Sequence, residues 1–163
     1  MVRRRKRRGL IRGFIRDRRA ASAVEFAILA APFFLLLMAV TQVGIFYMAQ
    51  SALDSGVAAT ATTLRNNFTT GTTATLLDAS ALKSSVVSGA GAIISNNSTL
   101  SVEIRQQNSL SGATVPIVDG TVDYGTTTST LALRAQSTVI TLAPGLGGLS
   151  TIYSSALVRR QGT

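Results

Sequence analysis

The chain contains no cysteine and no histidine. Without cysteine there are no disulfides and no thiolate chemistry. Without histidine as well, most zinc sites and every Ser-His-Asp or Cys-His arrangement are excluded. A lack of cysteine fits a bacterial envelope protein. Acids are scarce too, with only seven Asp and Glu in 163 residues. The one close pair is Asp119 and Asp123, inside Asp119-Gly120-Thr121-Val122-Asp123-Tyr124-Gly125. Two acids and a glycine are too few ligands for a calcium loop, and the Asp-Gly dipeptide reads as a turn into a short strand. General acid–base work has no other paired carboxylates to draw on. No enzyme, metal, cofactor or small-molecule substrate is expected.

The longest absence is of charge. From Phe26 to Leu53 no residue is charged. A helix of that length reaches about 42 Å, more than the roughly 30 Å hydrocarbon core of a bilayer. The densest part runs from Ala27 to Tyr47, around Phe33-Phe34-Leu35-Leu36-Leu37-Met38. Soluble helices rarely extend so far without a charged face. The apolar region is also too long for a cleaved secretory signal, and no small-residue cleavage site closes it. The segment reads as a single membrane span.

What is abundant is positive charge at one end. Arg3, Arg4, Arg5, Lys6, Arg7, Arg8, Arg12, Arg16, Arg18 and Arg19 precede the span, with Asp17 the one acid among them. Their sum, +9, is the net charge of the whole chain. The six bases and six acids after residue 19 cancel. Only Arg65 and Lys83 follow within about fifty residues of the span, so the positive-inside rule puts the N-terminus in the cytoplasm and the remainder across the inner membrane. Nucleic acid is not an expected partner: Phe14 is the only interleaved aromatic, and anionic lipid headgroups are the natural counter-surface for the tail.

Glu25 stands at the margin of the apolar segment, where an ionised carboxylate is costly. Either it reaches back to Arg18, Arg19 or headgroups, or it has a function. The run Arg18-Arg19-Ala20-Ala21-Ser22-Ala23-Val24-Glu25-Phe26-Ala27, with Pro32 seven residues after the Glu and an aliphatic block beyond, resembles the start of TadE-like minor pseudopilins of tight-adherence (Tad) pili. The small-residue stretch Gln50–Ala59 and the closing Leu142-Ala143-Pro144-Gly145-Leu146-Gly147-Gly148-Leu149 are also similar to that family. The resemblance implies a basic leader removed by a prepilin peptidase between Ala20 and Ala21, which makes Glu25 the fifth residue of the mature chain. It implies that Glu25, Phe26 and Pro32 serve subunit assembly, with other pilins or pseudopilins and the pilus assembly platform as partners. One position departs from the pattern: Ala20 stands where the peptidase usually meets Gly. The alternative is an unprocessed, single-pass anchored envelope protein that binds a partner without polymerising.

Beyond the span, small residues at helical spacing (Ala52, Ser55, Gly56, Ala59, Thr63) beside Leu53, Val57 and Leu64 continue the helix, from about Ser22 to Leu64. A short separate linker helix is the other reading. Residues 66–75 read as a polar loop and Leu76–Ile94 as a second helix, with Gly89 and Gly91 weakening its end. Thr99–Gln106 alternates Leu100, Val102 and Ile104 with Ser101, Glu103 and Arg105, the pattern of a half-buried strand. Ser129–Leu142 and Thr151–Arg160 supply two more strands. The expected class is α+β: a long N-terminal helix packed on a small domain with a second helix and a short antiparallel sheet. Three regions follow: a leader (1–20), the span and its extension (21–65), and an extracytoplasmic domain (66–163). Strand order is not readable from the sequence.

Overall fold

The computed structural model describes residues 18–69, 76–94, 100–107, 115–126, 129–142, 145 and 150–160. The first helix, α1, runs from Arg18 to Thr69 with Pro32 inside it. It is one continuous helix and not a span followed by a linker helix. Its second half is rich in Ser and Thr, which ordinarily compete with helical hydrogen bonding. Here their hydroxyls turn back on the helix. Ser55 donates to the Ser51 carbonyl at 2.9 Å, Thr60 to Gly56 at 2.9 Å and Thr63 to Ala59 at 3.1 Å.

The helix also outruns its expected end at Leu64, through Asn66 and Asn67 to Thr69. Phe68 explains the extra turn. It is buried, packs edge-on against Tyr124 with centroids 6.1 Å apart, and lies under the Arg160 guanidinium at 5.7 Å. Burying an aromatic ring contributes more than the weak helix propensity of the asparagines costs.

The chain divides into two compact units between Thr41 and Gln42. In the first, the described side chains from Ser22 onward are almost all exposed, Phe26, Leu29, Phe34 and Leu36 among them. An apolar surface all round a helix is the signature of a lipid-facing span.

The second unit carries the core. Asp78 caps α2 (Ala79–Ala90): its carboxylate accepts from the Ala81 N–H at 2.7 Å and the Ser80 hydroxyl at 2.8 Å. These bonds stabilise the anion and hold the Asp78 carboxyl below its ordinary 3.8. The cap starts the helix three residues later than Leu76. Gly91, at φ 71°, closes it with an N–H bond to the Val87 carbonyl, and a 3₁₀ turn follows over Gly91–Ile94.

Three strands, β1 (Ser101–Gln106), β2 (Thr130–Thr138) and β3 (Thr151–Arg159), form an antiparallel sheet in the order β1-β2-β3. Ile104 faces Leu133, and Leu133 faces Ala156. Val102, Ile104, Leu131, Leu133, Ile152 and Val158 meet Leu53, Val57 and Leu64 of α1 and Leu82 and Val86 of α2 in one core. The class is α+β.

Both sheet edges are occupied. The segment Gly120–Asp123 runs parallel to β1: Ile104 donates to the Thr121 carbonyl at 2.8 Å, and Asp123 donates to the Ile104 carbonyl at 2.9 Å. On the other edge two α1 side chains reach β3 carbonyls, Gln50 to Tyr153 at 2.7 Å and Arg65 to Leu157 at 3.3 Å. Covered edges do not recruit stray strands.

Candidate functional site

The cations Arg3, Arg4, Arg5, Lys6, Arg7, Arg8, Arg12 and Arg16 lie outside the described residues. Arg18, Arg19, Ala20 and Ala21 form the first turn of α1, so the expected scissile bond between Ala20 and Ala21 falls within helical backbone. Glu25 is exposed and Phe26 is 72% exposed. Pro32, also exposed, lies two turns on from Glu25 and therefore on the same helix face. Proline cannot donate to the carbonyl four residues back, yet the helix passes through it unbroken. Glu25 and Pro32 thus share one exposed face about two turns apart, with the exposed Phe26 roughly 100° round the helix from Glu25.

The acids after Leu53 are engaged in structure. Asp119 accepts from the Val102 N–H at 3.1 Å and pairs with Lys83 at 2.6 Å. Burial pushes its carboxyl up, but the Lys83 and backbone hydrogen bonds outweigh that and hold it below 3.8. Asp123 accepts from the Gly125 N–H at 2.9 Å. Residues 119–120 form the expected turn, with Gly120 at φ 75°. Among the described residues no group of three or more Asp, Glu, His or Cys could hold a metal.

Two residues carry more than the sequence reading gave them. The alternating pattern puts Glu103 on a polar, solvent-facing side, yet it is completely buried. Residues 115–118 pass over it: Val118 donates to its Oε2 at 2.8 Å, Arg134 of the facing strand to its Oε1 at 2.9 Å, and Arg105 approaches at 3.5 Å. Arg134 also donates to the Val115 carbonyl at 2.6 Å. A buried carboxylate is tolerable only with such partners. The 31 residues that separate Glu103 from Arg134 give no local signal of the pairing.

Gln42 is the second. It is completely buried although it stands in the uncharged run. Its Nε2 donates to the Ile140 carbonyl at 3.1 Å, and its Oε1 accepts from the Leu142 N–H at 2.7 Å. A lone amide in so apolar a stretch was the available signal, since a polar group there requires partners.

Among the described residues one helix is long and apolar enough to cross a bilayer, and it leads without a break into a small α+β domain, the layout of a single-pass anchored protein. Residues 20–62 match the family described as TadE-like protein, and this segment is TadE-like. The match runs from Ala20 across the whole apolar run and stops short of α2 and the sheet. No curated protein and no solved structure is significantly similar to the chain.

Proposed function

We propose that the protein is a minor pseudopilin of a Tad pilus, a structural subunit that takes part in pilus assembly at the inner membrane and is no catalyst. The TadE-like match over residues 20–62 carries this reading, because it spans the Ala20-Ala21 junction, Glu25 and the apolar helix together. The N-terminus lies in the cytoplasm and the domain after the helix lies outside, as the basic leader directs.

In this reading a prepilin peptidase removes residues 1–20 at the cytoplasmic face. The new α-amino group of Ala21 is then cationic at the membrane surface, and Glu25 of a neighbouring subunit pairs with it. An unpaired carboxylate at that depth is expensive, so pairing selects one vertical register between adjacent helices. Pro32, on the same face as Glu25, and the adjacent Phe26 shape the same helix–helix contact.

Two measurements test the proposal. N-terminal sequencing and intact mass of membrane-extracted protein, with and without the cognate peptidase, should show a peptidase-dependent Ala21 terminus. An unchanged N-terminus in both samples would leave an unprocessed, anchored partner-binding protein. Glu25→Ala should insert in the membrane normally and fail to enter an assembly; normal assembly by that variant sinks the pairing mechanism.

A further inference from the structure

The sequence holds two long stretches without charge: residues 26–53 and residues 135–158, the latter running through the end of β2, the connection and most of β3. The fold joins them at two points. Gln42 holds the backbone of Ile140 and Leu142, and Gln50 holds the Tyr153 carbonyl. The charges of the second unit lie elsewhere: on α1 from Asp54 onward, on α2 and its Asp78 cap, on β1, on Asp119 and Asp123, on Arg134, and on Arg159 and Arg160.

Sequence length places Gln42 relative to lipid. A 30 Å hydrocarbon core takes about 20 helical residues, so a span that begins at Phe26 is not complete until about Ile45. Gln42 therefore falls at the outer boundary of the hydrocarbon, and the loop it holds falls there with it. Non-helical backbone at that depth must have its polar groups satisfied by protein. The Gln42 amide does this for the Ile140 C=O and the Leu142 N–H, and is itself satisfied in return. Meanwhile the side chains of Ile140 and Leu142 are 76% and 46% exposed, the first largely uncovered and the second about half so. Tyr47, two residues beyond Ile45, and Tyr153, tied to Gln50, are exposed at the level where interfacial tyrosines are enriched.

From this juxtaposition we infer that the residues just after β2 make a second membrane contact: Ile140 and Leu142 insert into the outer lipid interface, held at that depth by Gln42, with Tyr47 and Tyr153 at the headgroup level. The partner is the bilayer surface. The contact fixes which end of the domain faces the membrane, which a single helix leaves free to rotate. The inference rests on the reading of α1 as a membrane anchor.

The absence of native cysteine makes the test direct. Full-length protein with a single Ile140→Cys, labelled with an environment-sensitive fluorophore, is reconstituted in phospholipid vesicles without quencher or with lipids carrying a nitroxide, placed shallow for positions 140 and 84 and near the end of the acyl chain for position 34. Phe34→Cys reports the anchor, and Ser84→Cys, on an exposed position of α2, reports the domain. The expected result is a blue-shifted emission at 140 that the quencher lipids extinguish, and no quenching at 84. Adding Gln42→Leu to the Ile140→Cys chain should restore much of the emission at 140 while quenching in a parallel Phe34→Cys, Gln42→Leu chain stays unchanged. Quenching at 34 but none at 140 overturns the inference and leaves the anchor standing; a blue shift at 140 without quenching means that protein, such as a second copy, covers the loop. Equal quenching at 84 and 140 overturns it as well, because the whole domain then lies on the surface. No quenching at 34 removes the anchor itself.

Discussion

Gly56 of α1 and Gly89 of α2 meet face to face. A Cβ on Gly89 would sit 2.9 Å from the Gly56 Cα, and one on Gly56 would collide with the Val86 carbonyl oxygen. Backbones this close leave no room for a methyl group, and the neighbouring Thr60 and Ser85 hydroxyls join across the same crossing at 3.0 Å. Small residues in the sequence therefore mark where α2 lies on α1.

Gly56→Ala should cost about 1–3 kcal/mol, the range for overpacking a filled interior. Gly44→Ala is the control, because a Cβ there meets nothing within 4 Å. Thermal unfolding of the two variants in detergent, followed by circular dichroism, should lower the midpoint for Gly56→Ala alone.

Removing one partner of the Glu103–Arg134 pair strands the other in the interior. Arg134→Met should destabilise by about 3–5 kcal/mol, and the double variant Glu103→Leu, Arg134→Met should recover much of that loss. Denaturant titration of the four members of the cycle checks it. A double variant as unstable as Arg134→Met would mean that the strap over Glu103, not the charge pair, is what the mutation breaks.

Tyr124 donates to the Leu77 carbonyl at 2.7 Å, and burial pushes its hydroxyl up from 10.0 to about 12. A group raised on folding contributes stability that is present below its unfolded pKa and is lost as pH rises through the folded one. Stability should therefore fall between about pH 10 and 12 in the native protein. Tyr124→Phe should lose about 1 kcal/mol at neutral pH, the worth of one hydrogen bond, and show a smaller fall in the alkaline range. Unfolding midpoints across that range provide the comparison.

Asp78 behaves in the opposite sense. Its carboxyl is lowered by the Ala81 N–H and the Ser80 hydroxyl, so its contribution is present above about pH 4 and disappears as acid protonates the cap. Asp78→Ala should lower stability at pH 7 and flatten the acid limb of the stability curve. Hydrogen exchange of the amides in the first turn of α2 should speed up in the variant.

Composition and periodicity made much of the molecule legible before any coordinates. The apolar span shows as a run without charge, because partitioning into lipid is a property of a segment on its own. The first two strands followed from alternation at Leu100–Arg105 and Leu131–Leu133, and with the expected last strand at Thr151–Arg160 they gave the α+β class. The Asp119-Gly120 turn followed from its dipeptide. These are local signals, carried by residues a few positions apart.

Residues far apart in the chain decided the rest. Gln42 is 98 and 100 positions from the two residues it holds, and Gln50 is 103 from Tyr153. Glu103 looked like a solvent-facing strand residue until the segment 115–118 crossed above it, and Phe68 kept a helix going where Asn66 and Asn67 suggested a loop. In each case a group that its neighbours in sequence would leave in water finds its partner across the fold. The free energy of burial and pairing then outweighs local preference. Which residues would face lipid, sheet or solvent was written in their order; which carboxylate, amide and ring would be enclosed depended on the strands and loops that closed over them.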